Sequence, residues 1–145
     1  MKVYLAADHA GFALKERVKQ WLLEQKYEVQ DFGALSYSDG DDYPDYMRPA
    51  AEALGKNPKE DRAIIMGGSG QGEAMVANRV KGVRCAVFYG GNMDIVKLSR
   101  EHNNANALAL GARFVKEEEA LAVIKLWLAA PFPGDERHVR RIGKF

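Results

Sequence analysis

The segment at residues 64–75, IIMGGSGQGEAM, joins an apolar run to a cluster of small residues and a carboxylate. The cluster contains four glycines, Gly67, Gly68, Gly70 and Gly72. Ser69 adds a hydroxyl to the cluster, and Glu73 follows it directly. Glycines let a ligand approach the backbone closely, and the amides at the start of a helix are free donors. The segment therefore predicts a site for an oxyanion or a phosphate, with a carboxylate beside it.

The spacing of these glycines does not match the common nucleotide-binding motifs. A P-loop starting at Gly67 requires lysine at position 73, and a dinucleotide motif starting at Gly68 requires glycine there, but the chain has Glu73. A glutamate would repel a phosphate, whereas beside a carbon acid it can remove a proton while the amides hold the resulting oxyanion. We therefore favour an oxyanion site with an adjacent base. The alternative is a tight strand-to-helix turn with Glu73 as a first-turn helix charge.

All three histidines of the chain lie in polar clusters. His9 follows Asp8, His102 lies in the segment SREHNN, and His138 lies in the basic segment RHVRR. A lone histidine is more often structural or exposed, but positions near strand ends and among arginines favour a functional role. No two histidines have the short spacing of a zinc site, so we expect no metal.

Arginines that could bind a phosphate group occur near the end of the chain. Arg113 comes just after the last predicted strand, and the basic segment adds Arg137, Arg140 and Arg141. The planar fork of arginine suits phosphate oxygens. The alternative for the basic segment is a solvated tail.

Two further features are interpreted as structural. Cys85 is the only cysteine and lies in an apolar strand, so we expect it in the core. The acidic residues Asp39, Asp41 and Asp42 lack the rest of a calcium loop, and we expect this segment to be solvated.

The composition of the 145-residue chain argues against several classes of protein. Its 47% apolar content is typical of a soluble globule, and the length suffices for one domain. No stretch approaches the roughly 20 apolar residues that cross a bilayer, and we expect no signal peptide. The formal net charge of +1 argues against a nucleic-acid partner. A single cysteine fits a reducing cytoplasm.

Strand-like and helix-like segments alternate along the chain. The predicted strands cover residues 2–7, 27–31, 62–66, 83–88 and 105–110. The predicted helices cover residues 12–26, 47–54, 72–80, 92–102 and 117–129, and residues 32–44 form a loop. This alternation predicts a single α/β domain over residues 1–145, a Rossmann-like three-layer sandwich with a five-stranded parallel sheet and helices on both faces. We expect the strand order 2-1-3-4-5.

The polar clusters fall where such a sheet binds ligands. Ligands bind beyond the carboxyl ends of the strands, at the point where the strand order reverses. In the expected order this point lies between strands 1 and 3. The segment 8–11, DHAG, follows strand 1, and the segment 67–70, GGSG, follows strand 3. The fold therefore predicts that both clusters face one crevice.

Taken in order along the chain, the motifs resemble those of the ribose-5-phosphate isomerase B family, which also includes the galactose-6-phosphate isomerase subunits. The resemblance covers nearly the whole chain and rests on AADHAGFALK at 6–15, DYP at 42–44, GGSGQGE at 67–73, AN at 77–78, GVRCA at 82–86, SREHNNAN at 99–106, LGAR at 110–113 and RHVRR at 137–141. No single segment is decisive, but eight segments in the same order are a specific signal.

The resemblance implies reversible conversion of an aldose phosphate to a ketose phosphate with no metal and no organic cofactor. It also implies a homodimer or a dimer of dimers, in which the tail 131–145 of one subunit completes the site of its neighbour. Many members have a cysteine base directly after the third strand, where this chain has Gly67. One branch uses a glutamate just after the glycine loop, and Glu73 matches that branch.

The resemblance also assigns roles to individual residues. Glu73 moves the proton between C2 and C1, the Ser69 hydroxyl steadies the oxyanion, and His102 helps to open the sugar ring. The expected substrate-binding residues are Asp8, His9, Tyr43, Gly68, Gly70, Gly72, Asn103, Arg113, Arg137, His138 and Arg141. Within this group His9 and Arg113 contact the phosphate together with Arg137 and Arg141, which reach in from the neighbouring subunit.

We predict an isomerase that interconverts ribose 5-phosphate and ribulose 5-phosphate. Three alternatives to this function stay open. The first is a six-carbon substrate, galactose 6-phosphate or allose 6-phosphate, because pocket length is not readable from the sequence. The second is a flavodoxin-like module that binds a nucleotide or flavin without chemistry. The third is a sensor that binds a sugar phosphate without converting it.

Overall fold

The computed structural model describes residues 1–145, and its elements alternate between strand and helix as expected until the last two helices, which follow one another. The strands are β1 (Lys2–Ala7), β2 (Glu28–Asp31), β3 (Arg62–Gly67), β4 (Cys85–Phe88) and β5 (Ala107–Gly111). The helices are α1 (Phe12–Glu24), α2 (Pro44–Lys56), α3 (Gln71–Ala77), α4 (Asp94–Asn103), α5 (Glu117–Ala129) and α6 (Glu136–Ile142). None of these helices combines the length and the apolar character that crossing a membrane requires.

All five strands pair in parallel in one sheet, which confirms the predicted α/β class. Two apolar cores cover its faces, so the sandwich has three layers. One core includes Val18, Val96 and Trp127 from α1, α4 and α5. The other includes Leu54 and Ala74 from α2 and α3.

The strand order is β2-β1-β3-β5-β4, so the expected placement of the last two strands is wrong. Strand β5 reads ALALG and is buried at every residue, because it lies between β3 and β4. Strand β4 reads CAVF and keeps three of its four residues half-buried, because it forms the edge of the sheet. The reversal between β1 and β3 is unaffected, so the predicted crevice stays in place.

The basic segment near the end of the chain forms helix α6 rather than an extended tail. Its residue His138 is only 4% exposed, and its ring stacks on the His102 ring at the end of α4, with centroids 4.4 Å apart. Arg100 of α4 donates hydrogen bonds to the Ala130 and Ala105 carbonyls and so ties the ends of α4 and α5 together. This packing fixes α6 beside the end of α4.

Candidate active site

The carboxyl edge of the sheet, where β1, β3 and β5 end, gathers nine of the expected site residues. They are Asp8, His9, Tyr43, Gly68, Ser69, Gly70, Gly72, Glu73 and Arg113. Ala7 pairs with Met66, and Gly67 pairs with Gly111, so the segments that follow these three strands start side by side. The sheet therefore brings the two predicted polar clusters and Arg113 to one place.

The opposite edge, the amino edge where the strands begin, gathers the remaining five. They are His102, Asn103, Arg137, His138 and Arg141. Arg84 directly precedes β4, and its Nε donates to the Asn103 carbonyl over 3.1 Å. Since α4 runs back from the carboxyl edge to the start of β5, its last residues lie at this edge.

One subunit therefore does not bring its two groups of site residues together. Strands of five or six residues at about 3.3 Å per residue separate the two edges by roughly 15 Å or more. His102 lies at the far edge from Glu73 of its own chain. A site that uses both residues needs two copies of the chain.

The glycine loop is held in place by close backbone contacts. Gly70 has a φ of +78°, and a Cβ there would lie 3.0 Å from the Leu110 carbonyl carbon, so only glycine fits. The Arg113 amide donates to the Gly68 carbonyl over 3.2 Å, and the Arg113 guanidinium covers Gly68. The Tyr43 ring lies closer still to Gly72, because a Cβ on Gly72 would be 2.8 Å from the Tyr43 Cζ. The loop thus lies between Arg113 on one side and Tyr43 on the other.

Glu73 lies in the first turn of α3 and is only 4% exposed. A methyl group built on Gly67 would overlap its carboxylate and lie 2.9 Å from its Cγ. The Glu73 carboxylate therefore occupies the space that any side chain at position 67 would need. Burial raises the pKa of Glu73, and the Asp8 charge adds to this, while the Glu73 and Gly70 amides oppose it.

Several amides of the glycine loop are free to bind a ligand. The backbone N–H groups of Gly68, Ser69 and Gly72 donate to no acceptor within the chain. The Ser69 hydroxyl oxygen accepts the Gln71 amide in a long contact of 3.4 Å. The loop therefore presents unpartnered donors next to a buried carboxylate, which is the arrangement an oxyanion site requires.

Asp8 and His9 are fixed by hydrogen bonds directly after β1. Asp8 Oδ1 accepts the Ala10 and Gly11 amides over 3.0 and 3.1 Å. His9 contacts Asp41 through its backbone amide at 3.0 Å and through Nδ1 at 2.7 Å. The expectation that the acidic loop is simply solvated is wrong for Asp41, whose side chain is 6% exposed.

Asp8, His9 and Asp41 are also the one group of side chains whose ligand atoms could surround a metal ion, since these atoms lie within 4.8 Å of one another. The atoms that would bind a metal already take part in hydrogen bonds, because His9 Nδ1 and Asp41 Oδ1 share one and Asp8 Oδ1 accepts hydrogen bonds from two amides. This arrangement fits hydrogen bonding better than metal binding.

The Cys85 thiol does not have the properties of a base. Cys85 is half-buried on β4, and burial raises the pKa of its thiol, so the thiol stays protonated near neutral pH. The sequence predicted a position in the core, but Cys85 is only half-buried, because β4 is an edge strand.

At the amino edge, the His102 and His138 rings stack on each other, and Arg137 lies beside them. Arg137 Nε donates to His138 Nε2 over 3.2 Å, so this nitrogen acts as an acceptor. Burial lowers the pKa of His138, and the charges of Arg137, His102 and Arg141 lower it further. A surface cavity of about 440 Å³ also lies at this edge, and Arg84 and Phe145 are among the residues that line it.

A family model described as Ribose/Galactose Isomerase matches residues 3–145 of the chain. The chain belongs to this family. Ribose-5-phosphate isomerase B of Mycobacterium tuberculosis is 42% identical over 142 residues, which cover 98% of this chain and 86% of that protein.

Solved structures of other family members share the fold. The crystal structure of ribose-5-phosphate isomerase B from Mycoplasma genitalium with bound ribulose-5-phosphate matches with a TM-score of 0.94 and 37% identity, covering 99% of this chain and 92% of that one. The Clostridium thermocellum ribose-5-phosphate isomerase B matches with a TM-score of 0.91 and 42% identity, covering 99% and 94%. These matches confirm the resemblance read from the eight motifs.

Proposed function

We propose that this chain is an aldose–ketose isomerase that interconverts ribose 5-phosphate and ribulose 5-phosphate without a cofactor. The observation that carries the proposal is the buried Glu73 carboxylate beside the unpartnered amides of the glycine loop, in a chain of this family. The relatives named above are ribose-5-phosphate isomerases, which favours the five-carbon substrate over the six-carbon alternatives. They also argue against a binding module or a sensor.

Glu73 is the base in this proposal. It takes the proton from C2 of the open-chain aldose, the electron pair of that bond forms the C1–C2 double bond, and the carbonyl oxygen at C1 becomes an oxyanion. A proton then moves from the C2 hydroxyl to the C1 oxygen, and the electron pair of the resulting C2 oxyanion forms the C2 carbonyl as the carboxyl returns its proton to C1. A raised pKa makes the Glu73 carboxylate a stronger base than an exposed one. Its position over Gly67 leaves no room for the cysteine base of other members.

The glycine loop stabilises the charge that develops on the substrate oxygens. The amides of Gly68, Ser69 and Gly72 have no other partner, and the Ser69 hydroxyl adds one more donor. Because these donors are already in place, they need no reorganisation during proton transfer. Removing one donor of this kind typically costs about 3–4 kcal/mol of barrier.

The phosphate group of the substrate binds to cations from both edges of the sheet. His9 and Arg113 lie at the carboxyl edge, while Arg137 and Arg141 come from the amino edge of a neighbouring subunit. Arginine forks bind phosphate oxygens in pairs, which fixes the orientation of the sugar. Tyr43 lines the sugar pocket beside Gly72.

Ring opening uses groups of the same neighbouring subunit. His102 exchanges a proton with the ring oxygen, and His138 supports His102. Asn103 binds the hydroxyls together with Asp8, which comes from the subunit that holds Glu73. The stacking of His102 on His138 means that both rings enter the shared site together.

A homodimer, alone or paired as a dimer of dimers, provides such shared sites. A two-fold axis perpendicular to the strands places the carboxyl edge of one subunit against the amino edge of the other and forms two equal sites. The edge strand β4 and its flanking helices expose apolar side chains, including Met75 at 66%, Ile95 at 58% and Tyr89 at 52%. We propose that a second copy covers this surface. We also propose a cytoplasmic location, which the single half-buried cysteine fits.

The reaction is tested with a panel of sugar phosphates. We expect conversion of ribose 5-phosphate, with much lower kcat/KM for allose 6-phosphate and galactose 6-phosphate. Preferential turnover of a six-carbon sugar would overturn the substrate assignment. Absence of turnover with every sugar of the panel would overturn the enzymatic proposal.

The shared site is tested by mixing two inactive variants, Glu73→Gln and His102→Gln. In a mixed dimer one site receives both wild-type residues, so random exchange of subunits restores about a quarter of the wild-type activity. Mixtures that stay inactive while mass spectrometry shows mixed dimers would contradict the shared site. Full activity of a monomer would do the same.

A further inference from the structure

Asp41 holds His9 through two contacts that end on one oxygen. The Asp41 Oδ1 atom accepts the His9 backbone amide over 3.0 Å and lies 2.7 Å from His9 Nδ1. Asp41 lies in the loop between β2 and α2, yet its side chain is 6% exposed. The loop reaches β1 because the Ala7 amide donates to the Gly33 carbonyl and the Ala34 amide donates to the Ala7 carbonyl. The loop therefore delivers a buried carboxylate to His9.

The contact at Nδ1 decides which nitrogen of His9 carries the proton. A carboxylate only accepts hydrogen bonds, so Nδ1 must be the donor. The other nitrogen, Nε2, is then left to meet a ligand. When the ring is neutral Nε2 accepts a hydrogen bond, and when the ring is charged Nε2 donates one.

The groups around His9 all favour its charged form. Asp8 precedes it, Asp41 binds it, and Asp39 adds a further negative charge from the same loop. The Asp41 hydrogen bond is the main cause that raises the pKa of His9, while burial works against it. The Tyr37 ring packs edge-on against the imidazole, with centroids 6.5 Å apart.

Asp41 itself stays ionised in this environment. Burial opposes its charge, but hydrogen bonds from the His9 amide and ring, helped by the nearby Tyr46 hydroxyl, outweigh burial and keep the pKa of Asp41 below its ordinary value. Its second oxygen, Oδ2, is buried without a hydrogen-bond partner. The hydrogen bonds from His9 therefore supply most of the stabilisation that offsets the burial of the Asp41 carboxylate.

We propose that Asp41 is a positioning residue of the isomerase, which keeps His9 positively charged with Nδ1–H turned inward and Nε2–H free to bind the phosphate of the sugar. This inference rests on the proposed function, since the proposed phosphate is the ligand of His9. It gives the acidic loop a role that its composition does not reveal.

The first test is an NMR titration of ¹⁵N-labelled histidine in the free protein. The chain has three histidines, so a His9→Gln variant identifies the signals of His9 by their loss. In the wild type we expect Nδ1 to stay protonated and the ring to titrate above the ordinary histidine pKa. In Asp41→Asn we expect the titration to move to lower pH, whereas Asp39→Asn, a change of charge in the same loop, moves it less.

An Nε2–H tautomer of His9 in the wild type, or the same titration midpoint in Asp41→Asn, would overturn the proposal. The wild-type measurement holds even if Asp41→Asn does not fold. It also needs no turnover, so it judges the Asp41–His9 pair separately from the proposed reaction.

The second test is kinetic and asks whether Asp41 acts through His9. We expect Asp41→Asn to raise the KM for ribose 5-phosphate at least about tenfold at a pH between the His9 titration midpoints of the two proteins, less at a pH below both midpoints, and to change kcat much less. In a His9→Gln background the same substitution has little further effect on KM. Equal losses in both backgrounds would show that Asp41 acts only on structure and would contradict the proposal.

Discussion

The substitution Gly67→Ala probes the close contact between Gly67 and Glu73. A methyl group at position 67 overlaps the Glu73 carboxylate and lies 2.9 Å from its Cγ, whereas ordinary contacts measure 3.4–4 Å. The carboxylate is the end of a flexible side chain, so it can move away without unfolding the protein. We therefore expect a small loss of stability and a large loss of activity.

The size of the activity loss follows from the displacement of the base. To relieve the overlap, the carboxylate must move by roughly 1 Å or more, and a misplacement of this size costs about 100-fold in rate. This corresponds to about 2.7 kcal/mol of barrier. Because Gly67 contacts the base rather than the phosphate site, we expect the loss in kcat rather than in KM.

The assay is steady-state conversion of ribose 5-phosphate together with thermal unfolding of the same sample. Gly55→Ala on helix α2 is the matched control, because its added methyl meets Val80 and Lys81 away from Glu73. We expect Gly55→Ala to keep its kcat within a few-fold of the wild type. Wild-type kcat in a folded Gly67→Ala protein would refute the reasoning that Glu73 must occupy this space.

Three further predictions concern charge. We expect Arg137→Ala to raise the KM for ribose 5-phosphate about 10- to 100-fold, because it removes a charge-assisted hydrogen bond to the phosphate, and Arg140→Ala to leave KM nearly unchanged. Equal KM values for both variants would contradict the proposal that Arg137 binds the phosphate. We expect kcat/KM to rise with pH through the raised pKa of Glu73, since only the ionised carboxyl is a base. A rise at or below the ordinary glutamate pKa would count against Glu73 as the base. Because the pKa of Glu73 is raised in the folded state, ionisation of Glu73 destabilises the fold as pH rises through that pKa. We therefore expect Glu73→Gln to have a higher melting temperature than the wild type at pH 8 and the same melting temperature at pH 4, unlike the exposed control Glu52→Gln. A melting temperature below that of the wild type at pH 8 would contradict this prediction.

The class of fold was predictable because short apolar runs, typical of buried strands, alternate along the chain with segments whose apolar residues have helical spacing. The order of β4 and β5 was not predictable, because CAVF and ALALG are both short and apolar. Only the sheet itself reveals that one is an edge strand and the other is buried on both sides. Helix α6 was missed because charged residues interrupt its apolar positions, and His138 supplies its buried side chain.

The meeting of the two polar clusters at the carboxyl edge was predictable, because strand ends and glycine spacing locate them. The contact of Asp41 with His9 was not predictable, because an acidic loop rich in glycine and serine is typical of a solvated segment and the two residues are 32 positions apart. The motif containing Tyr43, DYP at 42–44, was the only nearby signal. The separation of His102 from Glu73 also needed the structure, since it follows from the direction of α4 along the sheet.

The most direct test of Glu73 as the base is hydrogen exchange in heavy water. When ribose 5-phosphate is converted in D₂O, we expect the wild type to place solvent deuterium at C1 of ribulose 5-phosphate, as far as the carboxyl exchanges its proton before returning it. In Glu73→Gln we expect binding of ribose 5-phosphate to persist while exchange at C1 and C2 falls by several orders of magnitude. Exchange by Glu73→Gln at the wild-type rate would contradict the account.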